Sequence, residues 1–228
     1  MASISVANFI TQYLRLALPN VTDFTDAMLG YWIDAALLDI SRGFPRKTYA
    51  TWDATTGLNS YAYSDSETIA DETTIIRVLT CFYPWVSDAD PGDVLTRKSH
   101  LDDDFLGGNY YEPDNEFQIL HVGSTVKTGG TIYADCHIVW KVATANIINP
   151  PEHYELIRLF CIWQAFNHQA SDVASSTVPD SSLLNALALE ARRAEIAYRS
   201  AYSLLSEAKA ISGVAKGWVL DKWDKGTG

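Results

Sequence analysis

Apolar positions recur along this chain with two periods, and the change between them divides it into segments. At the front, Val6, Phe9, Ile10, Tyr13, Leu14 and Ala17 fall three and four apart, which predicts one helix with an apolar face. Ser3 or Ser5 can cap it, and Pro19 and Asn20 stop it. A second helix follows, capped by Thr25 with Asp26 in its positive first turn, its stripe formed by Leu29, Trp32, Ile33, Ala36, Leu37 and Ile40. Gly43 and Pro45 end it.

The helical period returns after Pro150. From Tyr154 to Phe166 apolar residues surround the helix, which predicts burial on all sides. Beyond a loop from Ser171 to Pro179, a single stripe runs through Leu184, Leu187, Ala191, Ala194, Tyr198, Ala201, Leu205 and Ala208. Asp180 or Ser181 caps this helix and Gly213 is placed to end it. At 1.5 Å per residue it spans roughly 45–50 Å, longer than a globular domain needs, which points to an assembly.

Between these parts, Arg46 to Lys141 reads with period two and is rich in threonine and aromatic residues. The clearest strand is Thr131 to Val142, with Ile132, Ala134, Cys136, Ile138, Trp140 and Val142 on one face. Gly129-Gly130 before it reads as a hairpin turn, with Phe117 to Val122 as the expected partner. Ile75 to Val86 is a second run, and Tyr49 to Trp52 and Leu58 to Tyr63 are weaker ones. The expected fold is therefore α+β. Residues 1–45 and 146–212 form a four-helix-type bundle, residues 46–145 a small inserted antiparallel β domain, and residues 213–228 an extended tail.

Charge narrows the partners. With 17 basic and 28 acidic residues the net charge is −11, so no sequence-wide attraction to DNA or to anionic membranes is expected. The segment 46–141 holds 15 acids and 7 bases, thus 8 of the 11 excess negative charges. Cys81, Cys136 and Cys161 form no Cys-x-x-Cys pair and read as small buried thiols suited to a reducing compartment. Met1 to Leu18 lacks a basic cluster followed by an apolar block, and no apolar run reaches the ~18 residues of a membrane span. Neither export by a signal peptide nor membrane insertion is expected. Asn20-Val21-Thr22 matches a glycosylation acceptor but reads as chance in that setting.

Catalytic chemistry is hard to find. Asp102-Asp103-Asp104 lacks the spaced acids, glycine and distal glutamate of a calcium loop and reads as a solvated loop. His100, His121, His137, His153 and His168 have no ligand spacing. Cys136 and His137 are adjacent on a strand and point to opposite faces, so they cannot share a metal. Gly107-Gly108-Asn109 is a turn, and no Gly-x-Ser-x-Gly, phosphate loop or dinucleotide fingerprint occurs. No enzymatic activity, cofactor or metal is expected.

The last residues carry more. Gly213 to Gly228 combines Trp218, Leu220 and Trp223 with Lys216, Lys222 and Lys225, too short and too glycine-rich to build a core of its own. Tryptophans in such a segment read either as folding back onto the bundle of their own subunit or as anchors for a neighbouring subunit or another partner.

The order of a first helix, a Phe-Thr-Asp opening into Tyr31-Trp32-Ile33-Asp34-Ala35-Ala36, the Phe44-Pro45 stop, a β insert, Pro150-Pro151-Glu152 and a long last helix resembles the head-to-tail adaptors, or connectors, of tailed bacteriophages. The likeness covers about residues 4 to 212. It departs where the acid-rich helix opening of such proteins is here Thr25-Asp26-Ala27-Met28-Leu29, and in a larger, more aromatic insert. The resemblance implies a homo-oligomeric ring, commonly of twelve subunits, that binds the portal protein in the virion neck. It implies assembly in the host cytoplasm and a downstream neck or tail protein, with packaged DNA only passing through the lumen. It also assigns Trp218 and Trp223, with the three lysines, to the portal interface. Three other readings stand beside it: another neck or tail-completion ring; a glycan-binding module stacking sugars on Trp52, Tyr61, Tyr63, Tyr110 and Tyr111, which requires their exposure; and a metal-dependent hydrolase built on the Asp102 cluster.

Overall fold

The computed structural model describes residues 3–18, 23–54, 58–67, 75–85, 92–123, 130–143 and 145–224, with residues 85, 143 and 211–224 described by their backbone. The chain divides into two compact units, Met1–Phe44 with Lys141–Gly228, and Pro45–Trp140.

The first unit is built on three long helices. Helix α2 (Asp26–Gly43) begins where the Thr25 hydroxyl accepts from the Met28 N–H, and the whole predicted stripe from Leu29 to Ile40 is buried. Helix α3 (Tyr154–Ser175) packs between α2 and helix α4 (Ser181–Asp224), whose start is capped by the Asp180 carboxylate accepting from Ser182 and Leu183. A three-stranded sheet of two-residue strands closes the unit: β1 (Ile4–Ser5), β11 (Asn146–Ile147) and β10 (Val142–Ala143).

The front of this unit corrects the expected bundle. Helix α1 is only Val6–Phe9, followed by a π-turn at Ile10–Leu14, so three long helices are present among the described residues rather than four. The Thr11 hydroxyl donates back to the Ala7 carbonyl, a bond that competes with the regular helix ladder, and β1 fixes the chain immediately before. The apolar face is nonetheless used, since Phe9, Ile10 and Leu14 are buried. On α3 the expectation of burial all round also fails. Leu156, Ile157, Phe160, Cys161 and Ala165 are buried, whereas Leu159, Ile162, Trp163 and Phe166 are only half-buried.

The expected stop of the last helix at Gly213 is absent, and the described part of the expected extended tail, to Asp224, is helical; residues 225–228 lie outside the described residues. Helix α4 continues to Asp224, 44 residues or about 66 Å. An interior glycine weakens a helix by about 1 kcal/mol relative to alanine but does not end it. Good helix formers stand on both sides, Ala208, Lys209 and Ala210 before and Ala215 and Lys216 after.

The second unit is larger than the small insert expected within a bundle. It holds two four-stranded sheets. In the first, the order is β2 (Arg46–Asp53), β9 (Thr131–Ile138), β4 (Ile75–Trp85), β5 (Asp93–Val94). In the second it is β3 (Ser60–Ala62), β8 (Ile119–Val122), β7 (Tyr110–Asp114), β6 (Thr96–Arg97). All pairs are antiparallel except β6 with β7. One core lies within the unit, formed by residues of both sheets, among them Trp52, Cys81, Cys136 and Ile132 with Tyr61, Tyr111, Leu120 and Val122. Two side chains tie strand backbone across it: Trp52 Nε1 donates to the Ala62 carbonyl at 2.9 Å and the Tyr111 hydroxyl to the Leu79 carbonyl at 2.8 Å.

Strand β9 alternates as predicted, with Ile132, Ala134, Cys136 and Ile138 buried, but it is not the hairpin partner of β8. It is a central strand, paired residue for residue with β2 on one side and with β4 on the other. Strands β8 and β9 lie in different sheets, so the expected two-residue hairpin at Gly129-Gly130 does not join them. Along β4 the register shifts three times, so its buried residues Ile75, Val78 and Cys81 come three apart instead of two. The three cysteines are buried and free, and burial raises each thiol, Cys136 to about 12.

Candidate functional site

In the helical unit, α2, α3 and α4 leave an open cleft of about 590 Å³, within the usual range for ligand clefts. Its walls are aromatic because α3 and α4 each turn two rings toward the same place, while α2 supplies Asp39 and Arg42. Phe160 and Trp163 come from successive turns of α3, with ring centroids 5.6 Å apart. Tyr198, on the buried stripe of α4, stands edge-on to Phe160 at 5.5 Å and nearly parallel to Trp163 at 6.3 Å and 24°. One turn later Tyr202 packs on Tyr198 and on Phe44. Tyr202 lies over the end of α2, where a Cβ on Gly43 would come within 2.0 Å of its hydroxyl oxygen. Only glycine admits that approach.

A single carboxylate stands among these rings. Asp39, two positions beyond the buried Leu37 on α2, accepts from the Tyr198 hydroxyl at 2.5 Å and, weakly, from Arg42 at 3.5 Å. Burial first, and the Asp39 carboxylate second, push the Tyr198 hydroxyl far above its ordinary range, so it stays protonated and keeps donating. Of the two arginines at the rim, Arg199 pairs with Glu195 at 2.5 Å, while Arg42 is three-quarters exposed. An ionised carboxylate has about four acceptor positions, and the bonds from Tyr198 and Arg42 occupy two. Aromatic walls around one carboxylate suit a flat ring or a cation. Among the described residues that line it there is no thiol, histidine or lysine, and the Ser203 hydroxyl donates weakly to the Glu207 carboxylate at 3.4 Å.

A second cluster lies on the outer side of the β3-β8-β7 sheet. Ser60, His121 and Glu112 are cross-strand neighbours, and His100 stacks on His121 with centroids 4.2 Å apart. The Ser60 hydroxyl meets His121 Nδ1 at 2.9 Å, while Glu112 bonds both the ring and the backbone N–H of His100 at 2.5 Å. Burial would raise Glu112, but the bonds from His100 outweigh it and hold the carboxyl below its usual range. Burial, then the adjacent His100, lowers His121. This is not a Ser-His-acid relay: the acid orients His100, and the serine faces the other histidine. No group of three histidine, cysteine or acidic residues placed to hold a metal ion occurs among the described residues.

The residues predicted as partner anchors lie at the far end of α4. Lys216, Trp218, Leu220, Lys222 and Trp223 belong to its last turns, where the backbone alone is described, and Lys225 lies outside the described residues. The helix carries the five described ones away from the cleft of their own chain, the Trp218 backbone standing about 24 Å along the axis from Tyr202. The stacking platform required for glycan binding is missing: Trp52, Tyr61, Tyr63 and Tyr111 are core residues no more than 4% exposed, and Tyr110 alone is partly open. In the Asp102 cluster, Asp104 is engaged by Lys98. No described helix is long and apolar enough to cross a membrane.

The cleft itself was not foreseen. Asp39, Trp163 and Tyr198 are separated by more than thirty positions each, so no local spacing links them; the only signal was the aromatic pair Tyr198 and Tyr202, one turn apart. No protein-family model and no curated protein sequence matches the chain.

Proposed function

We propose that this chain is a non-enzymatic structural subunit of the neck of a tailed-phage virion, a head-to-tail adaptor repeated as a ring, commonly of twelve copies, on the portal protein. In this reading the ring prolongs the DNA channel and presents a platform to the next neck or tail protein. The observation that carries it is α4. Its buried stripe, Ala191, Ala194 and Tyr198, faces the rest of its own unit. Leu189, Ile196 and Leu204 lie on the opposite face and are 49, 56 and 67% exposed. A helix with apolar residues on two opposite faces has a second partner to cover, and cyclic repetition supplies one at every subunit.

Two further features support this. The helix outlasts its partner, being 44 residues against 22 for α3, and from Ser206 to Ala210 every residue is exposed, with Lys209 resting on Phe44. The net charge of −11 suits a channel whose wall repels phosphates and lets DNA slide. The test is Ile196→Glu. It places a charge on the uncovered face, so the melting temperature should stay near that of the wild type while assembly on the portal is lost. Unchanged assembly would show that this face of α4 is not an interface.

A further inference from the structure

The geometry points to the aromatic cleft as the receptor for the C-terminal segment of a second copy of this chain, residues 213–228, so that each subunit offers a cleft at one place and an anchor at another. This rests on the ring reading and names the partner within it.

The argument is one of complementary chemistry and of reach. The cleft presents Trp163 and Tyr198 nearly parallel, with Phe160 and Tyr202 beside them, and one carboxylate, Asp39. Its ligand should bring a flat apolar ring and a cation. The segment 213–228 holds both, Trp218 and Trp223 with Lys216, Lys222 and Lys225, against only Asp221 and Asp224. Trp218 and Lys222 are four positions apart, the spacing that sets two residues side by side on a helix. Within an acidic chain this segment is locally basic; of the two arginines that also line the cleft, Arg199 is neutralised by Glu195, which leaves Asp39, contacted loosely by Arg42, as the charge that an incoming lysine meets. The Arg42 contact to Asp39 is long, at 3.5 Å, and its side chain is largely in water, so an incoming ammonium can take its place.

Reach excludes the alternative that a subunit fills its own cleft. The cleft is lined by α4 residues Tyr198 to Ser206, and the anchor begins beyond residue 213 of the same continuous helix, which carries it away along the axis. The contact is therefore between two copies and uses different surfaces on each. Such a heterologous contact propagates, and it closes into a ring when the rotation per subunit divides the circle.

The test uses full-length chain in which the anchor is disabled, Trp218→Ala with Trp223→Ala, and a dye-labelled peptide of residues 213–228 as probe, followed by fluorescence anisotropy. The expected result is saturable binding of one peptide per chain. Adding Asp39→Asn, which keeps the Tyr198 hydrogen bond but removes the charge, should weaken it roughly tenfold, the worth of one hydrogen bond to a charged group. Trp163→Ala should weaken it further. A circular-dichroism melt of each variant separates lost binding from lost fold. Absence of saturable binding, or equal binding to the Asp39→Asn chain, overturns the inference. A chain that joins the portal ring yet does not bind the peptide loses this contact and keeps the adaptor role. Peptide binding by a chain that never joins the portal upholds the contact and defeats the role.

Discussion

Both units bury aromatic residues, but they differ in where some of those rings end. In the β unit, Trp52, Tyr61, Tyr63 and Tyr111 are turned inward, and two of them spend their polar ends on backbone carbonyls in other strands. In the helical unit, Trp163 and Tyr202 are half-buried around an open cleft, with Tyr198 donating to a carboxylate instead of a carbonyl. The same residue types therefore close a core in one unit and line an open cleft in the other. What separates the cases is whether the rings close on each other or leave space between them.

The contrast can be broken most severely at Trp52. Trp52→Ala empties the fully buried center of the β unit and leaves the Ala62 carbonyl without its donor, so stability should fall by about 3–5 kcal/mol. Urea denaturation followed by tryptophan fluorescence measures it. A loss below about 1 kcal/mol would mean that the two sheets do not depend on this ring.

Acid should strike the helical unit next. His153 is fully buried against Phe44 and hydrogen-bonded to Asn149, and burial, followed by the nearby Lys209, lowers its pKa from 6.5 to about 4. Between those values the unfolded chain binds a proton that the folded chain refuses. Stability is thus complete above pH 6.5 and declines as the pH falls toward 4, by about 3 kcal/mol in all. Melting curves at pH 7 and pH 4.5 check this, and His153→Gln should flatten much of the difference.

Smaller effects sharpen the comparison. Tyr111→Phe removes one donor from the β core without changing its shape, and should lower stability by about 1 kcal/mol with no effect on assembly. Asp39→Asn should change the melt least, since its hydrogen bond to Tyr198 can persist, while assembly falls. Equal effects of these two substitutions on assembly would erase the distinction between closed core and open cleft.

Much of the fold was legible where one period ran undisturbed. The stripe of α2 and its Thr25 cap, and the alternation of β9, follow directly from residue spacing. Legibility ended where long-range geometry decided. The bulges of β4 break the period of two, and the choice of β2 and β4 over β8 as neighbours of β9 depends on a second sheet that β9 does not encode. Gly213 misled because a glycine permits a helix end without enforcing it. The cleft is illegible for a similar reason: Asp39 and Tyr198 are 159 positions apart, and only the packing of α2, α3 and α4 joins them. In the β insert, strand propensity and aromatic stacking suggested a sugar platform, but hydrophobic burial claimed the same side chains first.

The most direct measurement is the particle mass of a portal ring before and after incubation with the full-length chain, read together with negative-stain images. The adaptor account predicts a discrete increase equal to a fixed whole number of 25.3 kDa subunits, and a second ring stacked coaxially on the first. A portal ring of unchanged mass, with this chain remaining monomeric beside it, would contradict the account.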